Sequence, residues 1–151
     1  MKLSTRGRYA VVALVELALE PEGARVNLGE LARREDISLA YLEQLFVKLR
    51  RAGLVEAVRG PGGGYVLARP ATEITIADIL LAVEETISAL ERGGGAEGAS
   101  SGTRAQSLAN RLWEGLSATI YVYLHRTSLA DVVDNRLAPC PAVPQLFEVT
   151  G

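Results

Sequence analysis

Apolar residues in the first third of the chain recur at helical spacing in three successive stretches. The first stretch begins after Ser4, a residue type that caps helices, and it stops at Pro21 and Gly23. Its apolar positions are Ala10, Ala13, Leu14, Leu17 and Ala18. The pattern predicts an amphipathic helix that turns one apolar face towards a core.

Two shorter stretches follow, with a tight polar turn between them. The first opens at "NLGE", a capping-box pattern with Asn27 as the cap and Glu30 reaching back to it. After the polar turn "REDI", Ser38 caps the second stretch, "LAYLEQLFVKLRRAG", and Gly53 ends it. The core face of this helix is predicted to be Leu39, Leu42, Leu45, Phe46 and Leu49. Two short helices joined in this way form a helix-turn-helix, whose second helix would lie in a DNA major groove.

The stretches "LVEAV" and "YVLA" flank a loop of four glycines and a proline. Both are too short for helices and rich in Val, Leu and Tyr, so they are predicted to pair as strands. A nucleotide-binding Walker loop would need a Lys-Ser/Thr pair and a helix after its glycines. Here Tyr65 and a strand follow Gly64, which argues against nucleotide binding. A helix-turn-helix followed by a hairpin is a winged helix, with the glycine loop as the tip of the wing.

The face of the third helix opposite its leucines carries groups suited to DNA. These are Ala40, Tyr41, Gln44, Lys48 and Arg51. Gln44 can pair with an adenine edge, and Lys48 and Arg51 can pair with phosphates. Ser38 and Tyr41 can contact phosphates or bases. The alternative is a solvated helix face without a partner.

The wing offers a second contact with DNA. Arg59 stands directly before the glycines and could enter a narrow minor groove, where the negative potential is strongest. Gly60, Gly62 and Gly63 lack side chains, so the backbone could approach DNA closely there.

The second half of the chain is predicted to hold two further helices. "TIADILLAVEET" reads as a helix that begins in the region 72–74 and uses Ile76, Ile79, Leu80 and Val83. A glycine- and serine-rich segment, 93–102, is expected to be a flexible loop. "AQSLANRLWEGLSATIYVYL" is a long helix with an apolar stripe of Leu108, Leu112, Leu116, Ile120 and Tyr123 or Leu124. Either a second copy of the chain or the rest of the same chain must cover this stripe, and Trp113 is expected in the core.

These patterns divide the chain into three predicted parts. Residues 1–70 form a winged helix-turn-helix, and residues 71–136 form a helical dimerisation region with a flexible sensor-type loop near 91–106. Residues 137–151, with three prolines, form an extended tail. The fold class is mainly α with a small β-hairpin and a long C-terminal helix.

Charge and composition narrow the function further. The net charge of −2 divides into +3 for residues 1–70 and −5 for residues 71–151, so the first part is better suited to a polyanion. No apolar run reaches the length of a membrane span, and the N-terminus does not resemble a signal peptide. One cysteine excludes an internal disulfide framework and is consistent with a cytoplasmic location.

Three motifs carry a resemblance to a known family. "MKLSTRGRYAVVAL", "ISLAYLEQLFVKLRRAGLV" and "VRGPGGGYVL" closely resemble the IscR-type winged-helix regulators of iron–sulfur cluster biogenesis in bacteria. The resemblance runs from residue 1 to about residue 86 and returns at "LWEGL" and "TSLADVV". Members are homodimeric transcription factors that bind partly palindromic operators.

The resemblance implies roles for individual residues. It implies that Ser38, Tyr41, Glu43 and Gln44 lie at the DNA surface, that Arg59 inserts from the wing, and that Ser4, Thr5 and Arg8 lie near phosphates. In the family, the residue matching Glu43 tunes which operators are accepted, because a buried carboxylate without a cytosine partner opposes binding.

The sensor of the family does not carry over to this chain. Members hold a [2Fe–2S] cluster with three cysteines about six residues apart and a histidine three positions after the last. Alignment on Trp113 puts the histidine position at Asn110 and the last cysteine at Ser107, and counting forward from "VEET" puts the first cysteine at Arg92 and the second near Gly98. Cys140 and His125 are the only thiol and imidazole in the chain. A cluster bridging two copies through Cys140, or completed by His125 or carboxylates, is one hypothesis; the alternative is that Cys140 is a small, semi-buried residue between prolines.

The leading hypothesis is therefore a homodimeric, DNA-binding repressor of iron–sulfur assembly and iron-homeostasis genes, sensing through an atypically ligated cluster. A second hypothesis is a DNA-binding regulator without a cluster, which responds instead to a partner protein, a metabolite or oxidation of Cys140. A third reading is a module whose winged helix docks protein. An enzyme is not expected, because the sequence lacks a recognisable set of nucleophile, base and orienting group.

Overall fold

The computed structural model describes residues 3–85 and 102–137, and it has the mainly α architecture with one hairpin that the sequence predicts. In chain order the elements are α1 (Thr5–Leu19), α2 (Leu28–Arg34), α3 (Leu39–Arg51), β1 (Val55–Val58), β2 (Gly64–Leu67), a 3-10 helix (Ala71–Glu73), α4 (Ile76–Ala82), α5 (Arg104–Arg126) and α6 (Leu129–Val133). The helices α2 and α3 form the helix-turn-helix, and the strands form the wing.

The three predicted N-caps are confirmed. The Ser4 hydroxyl accepts a hydrogen bond from the Gly7 amide at 3.3 Å, and the Ser38 hydroxyl accepts one from the Tyr41 amide at 3.4 Å. Asn27 Oδ1 accepts from the amides of Gly29 and Glu30 at 2.8 and 3.3 Å. The reciprocal bond expected from the Glu30 side chain does not form between these two described residues, so Asn27 acts as a simple cap.

The wing is an antiparallel hairpin that is tied to the helix-turn-helix. Val55 pairs with Leu67 at one end of the ladder, and Val58 pairs with Gly64 at the other. Val26, just before α2, exchanges two backbone hydrogen bonds with Tyr65, at 2.9 and 3.0 Å. This bridge fixes the hairpin against the start of α2.

One hydrophobic core joins residues on both sides of residue 70. Phe46, Leu14 and Leu42 are fully buried at its centre, and residues of α4 and α6 belong to the same cluster. The division of the chain at residue 70 stays a prediction, although the two parts share this core. Leu39 was expected in the core and is 44% exposed, because it lies on the first turn of α3, to one side of the buried stripe.

The segment after the wing differs from expectation at its start. The helix α4 begins at Ile76 instead of the region 72–74, because Thr75 caps it and forms a capping box with Asp78. Residues 71–73 form a separate 3-10 turn.

The helix α6 was not predicted as an element. It is capped by Ser128 and buries Leu129 completely. The amide of Leu129 donates to the carbonyl of Ile74 at 2.7 Å, and the amide of Ile76 donates to the carbonyl of Thr127 at 2.9 Å. These two bonds join the start of α4 to the start of α6.

Among the described residues, the helix α5 is the longest element and has the least cover. Its residues from 104 to 116 are exposed in the described part of the structure. Trp113, expected in the core, is 44% exposed, because no described element lies against this part of the helix. Near the other end, Leu124 packs against the core. Among the described residues, no helix is long and apolar enough to cross a membrane.

Candidate nucleic-acid interface

The outer face of α3 presents the side chains that sequence reasoning assigned to DNA. Leu42, Leu45, Phe46 and Leu49 are buried, and this fixes the rotation of the helix. Gln44 and Arg51 are exposed as a result, and Tyr41 and Lys48 are partly exposed. The ring of Tyr41 meets the ring of Tyr9 edge to face, with centroids 5.9 Å apart, so α1 orients it. The roles of these residues in DNA binding stay predictions.

Two further residues of α3 bear on this face. Glu43 is exposed, as a carboxylate that selects between operators would have to be. Val47 is 48% exposed, and sequence reasoning missed it. Val47 lies three residues after Gln44 and four before Arg51, so helical spacing alone puts it on this face. An exposed apolar group there can contact a thymine methyl.

A groove of about 420 Å³ lies between the N-terminus of α1 and the outer face of α3. Its lining consists of Ser4, Thr5, Arg6, Tyr41, Gln44, Leu45 and Lys48. Two cations, Arg6 and Lys48, therefore line one concave surface at the N-terminus of a helix, which is an arrangement suited to a phosphate group. Arg6 is a residue of this groove that sequence reasoning missed.

The cations of the groove already have acidic or carbonyl partners within the chain. Lys48 Nζ lies 2.8 Å from Glu84 Oε2, and Arg6 Nη2 donates to the Glu84 carbonyl at 3.1 Å. The Lys48 ammonium, through its hydrogen bond and its charge, lowers the pKa of Glu84 below its ordinary value. The Nε of Arg6 is buried and has no hydrogen-bond partner among the described residues.

The position of Ser4 shows how its hydroxyl is used in the fold. The hydroxyl donates to Glu85 Oε2 and accepts from the Gly7 amide, and the Ser4 amide donates to Glu85 Oε1 at 3.2 Å. Ser4 thus has a structural role at the start of α1, while its predicted contact with phosphate stays a prediction. Thr5 and Arg8 are exposed on the first turns of the same helix.

Glycine is required in the wing for two different structural reasons. Gly60 and Gly62 have φ values of +104° and +72°, in the region that favours glycine, and both face open space. Gly63 donates from its amide to the Gly60 carbonyl at 2.8 Å, and a Cβ there would lie 2.5 Å from the Val58 carbonyl oxygen. The backbone of the turn therefore requires these glycines, whether or not the wing binds DNA. Arg59 is exposed at the start of the loop.

The described positions that correspond to cluster ligands do not fit an iron–sulfur cluster. Ser107 and Asn110 are exposed on α5 and offer a hydroxyl and an amide, which are poor ligands for iron. The other two aligned positions, Arg92 and Gly98, lie outside the described residues, as does Cys140. Within residues 3–85 and 102–137, no group of three or more His, Cys, Asp or Glu side chains could hold a metal ion.

His125 lies near the end of α5 and packs against its own helix. Its Nδ1 is 2.9 Å from the Tyr121 carbonyl oxygen, and its ring centroid is 3.8 Å from that of Tyr121. The structure thus places His125 in a local helical contact.

The predicted dimerisation stripe is exposed in the single chain. Leu108, Leu112, Leu116 and Tyr123 are between 44% and 63% exposed, and Ile120 is half-buried. Tyr121 and Val122 extend the apolar surface beside it. Isolated chains rarely leave such a surface in water.

Comparisons with known proteins agree with this geometry. The sequence profile of the Rrf2 family, described as "Iron-dependent Transcriptional regulator", matches residues 3–135. The chain is 66% identical over 151 residues to the HTH-type transcriptional regulator IscR of Cereibacter sphaeroides, covering 99% of this chain and 97% of the relative. It is 45% identical over 136 residues to IscR of Photorhabdus laumondii, covering 90% and 81% of the two chains.

Solved structures show the same fold. The structure of T. potens IscR matches with a TM-score of 0.70 and 34% identity, over 90% of this chain and 88% of that one. The structure of CymR, the global cysteine regulator of B. subtilis, matches with a TM-score of 0.75 and 33% identity, over 89% and 98% of the two chains.

Proposed function

Because the chain belongs to the Rrf2 family of iron-dependent transcriptional regulators, we propose that it is a homodimeric, sequence-specific repressor of iron–sulfur assembly and iron-homeostasis genes. The observation that carries the proposal is the outer face of α3, where Gln44 and Lys48 line the groove at the N-terminus of α1 and Arg51 is exposed one turn further on. The recognition helix enters the major groove, and Arg59 reaches the adjacent minor groove from the wing. The protein acts in the cytoplasm, where the DNA lies.

A selection experiment tests DNA binding without a known operator. Purified protein is used to select duplexes from a random-sequence pool, and the affinity for the selected duplex is measured by fluorescence anisotropy. Gln44→Ala is expected to weaken binding about 5- to 100-fold and to relax the preference at one base pair, because a bidentate contact to adenine is lost. Arg59→Ala is expected to weaken binding most where the selected minor groove is narrow.

The matched control is Arg136→Ala, which removes an exposed cation whose partner is Asp134, at 2.8 Å. This variant is expected to bind as the wild type does. If Gln44→Ala and Arg59→Ala both bound like Arg136→Ala, the proposed interface would be wrong. Transcript levels of genes beside genomic copies of the selected site should rise in a strain that lacks the protein, since a repressor is removed.

We propose that a second copy of the chain covers the apolar stripe of α5. The support is the exposure of Leu108, Leu112 and Leu116 on a helix whose first half lacks cover in the described structure. Two-fold pairing of this helix would place two winged helices on a partly palindromic operator. Leu112→Glu should shift the mass measured by light scattering towards the monomer, while Asn110→Glu, nearly half a helical turn away, should leave it unchanged.

The effector is proposed to differ from a cluster held at the family's positions. Ser107 and Asn110 support this proposal, because a hydroxyl and an amide replace the expected thiolate and imidazole. Such a regulator would work in a cluster-free mode on the same fold. In that mode a partner protein, a metabolite or oxidation of Cys140 changes DNA affinity.

The competing proposal is a [2Fe–2S] cluster bound through Cys140 of two copies, with His125 as a further ligand. Anaerobic purification followed by iron and sulfide analysis separates the two. Coloured protein that loses its visible absorbance in Cys140→Ala would establish the cluster. Colourless protein with full affinity for the selected duplex would establish the cluster-free regulator.

A further inference from the structure

Two consecutive acidic residues, Glu84 and Glu85, follow α4 and form what we call the acidic turn. Glu84 adopts a φ of +61°, a left-handed conformation that non-glycine residues rarely adopt. Glu85 is only 8% exposed although it carries a carboxyl group. A strained backbone beside a buried acid indicates that the contacts of this turn hold it in place.

The contacts of the acidic turn lie in the proposed phosphate groove. Glu85 accepts hydrogen bonds from the amide and the hydroxyl of Ser4, and Glu84 accepts from Arg6 through its carbonyl and from Lys48 through its carboxylate. Ser4, Arg6 and Lys48 all line the groove. A single two-residue segment thus engages a hydroxyl, a guanidinium and an ammonium group that a DNA phosphate would otherwise use.

The geometry at Lys48 indicates that the Glu84 carboxylate opposes phosphate binding. Its ammonium lies 2.8 Å from the Glu84 carboxylate. A phosphate oxygen bound to the same ammonium would come close to that carboxylate, and two anions at such a separation repel one another. Lys48 must therefore leave Glu84, or the two anions must share one cation at an energetic cost.

The exposure of the pair shows that it can open. The Glu84 side chain is 73% exposed and the Lys48 side chain 33% exposed, so each can be rehydrated when the pair breaks. Glu85, by contrast, is buried against the start of α1, and a Cβ on Gly7 would lie 3.0 Å from its Oε2. Glu85 is the fixed part of the turn, and Glu84 is the part that can exchange.

We propose that Glu84 is an internal competitor that occupies the phosphate-binding ammonium of Lys48 in DNA-free protein and is displaced when a DNA backbone phosphate binds. The inference rests on the proposed function. It makes Glu84 a residue that weakens operator binding, and it gives the segment that follows α4 a direct electrostatic influence on the recognition helix.

The test compares Glu84→Gln with the wild type on the selected duplex. Removal of the carboxylate is expected to tighten binding about two- to fivefold at low ionic strength, the range that follows from the cost of breaking an exposed ion pair. The gain should shrink at high salt because exposed charges are screened. Asp134→Asn is the matched control, since it removes one negative charge and an equally short ion pair outside the groove.

The Lys48→Met background separates competition from a general change in charge. Lys48→Met alone should weaken binding and reduce the salt dependence by about one phosphate contact. In that background, Glu84→Gln should increase the affinity for the duplex by less than half as much as in the wild type, because the cation for which Glu84 competes is gone. An equal gain in both backgrounds would overturn the proposal.

Further outcomes are equally decisive. Glu84→Gln that binds as tightly as the wild type would refute competition, and Glu84→Gln that binds more weakly would refute it and assign Glu84 to positioning Lys48. Glu84→Gly serves as a second variant, because glycine adopts this φ without strain, and it should tighten binding as Glu84→Gln does. A wild-type protein that binds no duplex would refute the proposed function as well, whereas binding unaffected by Glu84 would refute the competitor alone.

Discussion

Replacement of Gly64 by alanine tests how the wing is attached to the helix-turn-helix. Gly64 is the first residue of β2, and its φ lies outside the left-handed region. A Cβ there would lie 2.5 Å from the Val26 carbonyl oxygen and 2.8 Å from its carbonyl carbon. Ordinary van der Waals contact begins at 3.4 Å, so the two backbones would have to separate by about 0.9 Å.

The cost follows from what this separation breaks. Val26 and Tyr65 exchange two backbone hydrogen bonds at 2.9 and 3.0 Å, and neither survives a shift of that size. Each bond contributes about 1 kcal/mol to stability, and Val26 is a buried residue whose packing shifts as well. We therefore expect Gly64→Ala to lower the free energy of unfolding by about 2–3 kcal/mol.

Urea unfolding followed by circular dichroism measures this change, at one protein concentration so that any assembly contributes equally. Gly62→Ala is the comparison, because Gly62 has a φ of +72° with open space around it. Backbone strain alone should cost about 1 kcal/mol there. If Gly64→Ala were no more destabilising than Gly62→Ala, the attachment inferred at Val26 would be wrong.

Three further predictions concern other parts of the molecule. Leu129→Ala should lower the free energy of unfolding by about 2–5 kcal/mol in urea titrations, since it leaves a cavity where a fully buried side chain stood; an effect below about 1 kcal/mol would show that α6 is dispensable. The Ser128 amide and hydroxyl lower the pKa of Asp131, so its contribution is present near neutral pH and is lost as pH falls through that lowered value. The free energy of unfolding of Asp131→Asn should therefore fall less than that of the wild type on acidification below about pH 4. Parallel plots of the free energy of unfolding against pH for the two proteins would contradict this. Arg51→Ala should reduce the slope of log affinity against log salt by about one phosphate contact, and an unchanged slope would remove Arg51 from the interface.

The sequence predicted best those features that depend on neighbouring residues. The caps at Ser4, Asn27 and Ser38 and the hairpin around the wing glycines are local arrangements, and all of them are confirmed. Leu39 was misjudged because helical spacing places it at the margin of the buried stripe, where its exposure depends on neighbours that the pattern does not reveal.

Long-range contacts escaped prediction for a physical reason. Ser4 and Glu85 are 81 positions apart, and Lys48 and Glu84 are 36 apart. The local sequence around a charged residue after a helix does not show which distant residue the fold will bring into contact with it. Trp113 was expected in the core because large aromatic residues usually contribute to a core, whereas this one lies on a helix whose first half lacks cover in the described part of the chain.

The two hydrogen bonds between the starts of α4 and α6 hold the two ends of the stretch 77–126 together. These ends are joined at Ile74–Ile76 and Thr127–Leu129, which lie beside each other. The entropic cost of closing a flexible loop rises by only about 0.6 kcal/mol for each doubling of its length. Insertions after Glu85 and before α5 should therefore be tolerated with little effect on how the winged helix folds. For a protein engineer, these two hydrogen bonds make that stretch a suitable place to insert a ligand-binding domain while the winged helix is left unchanged.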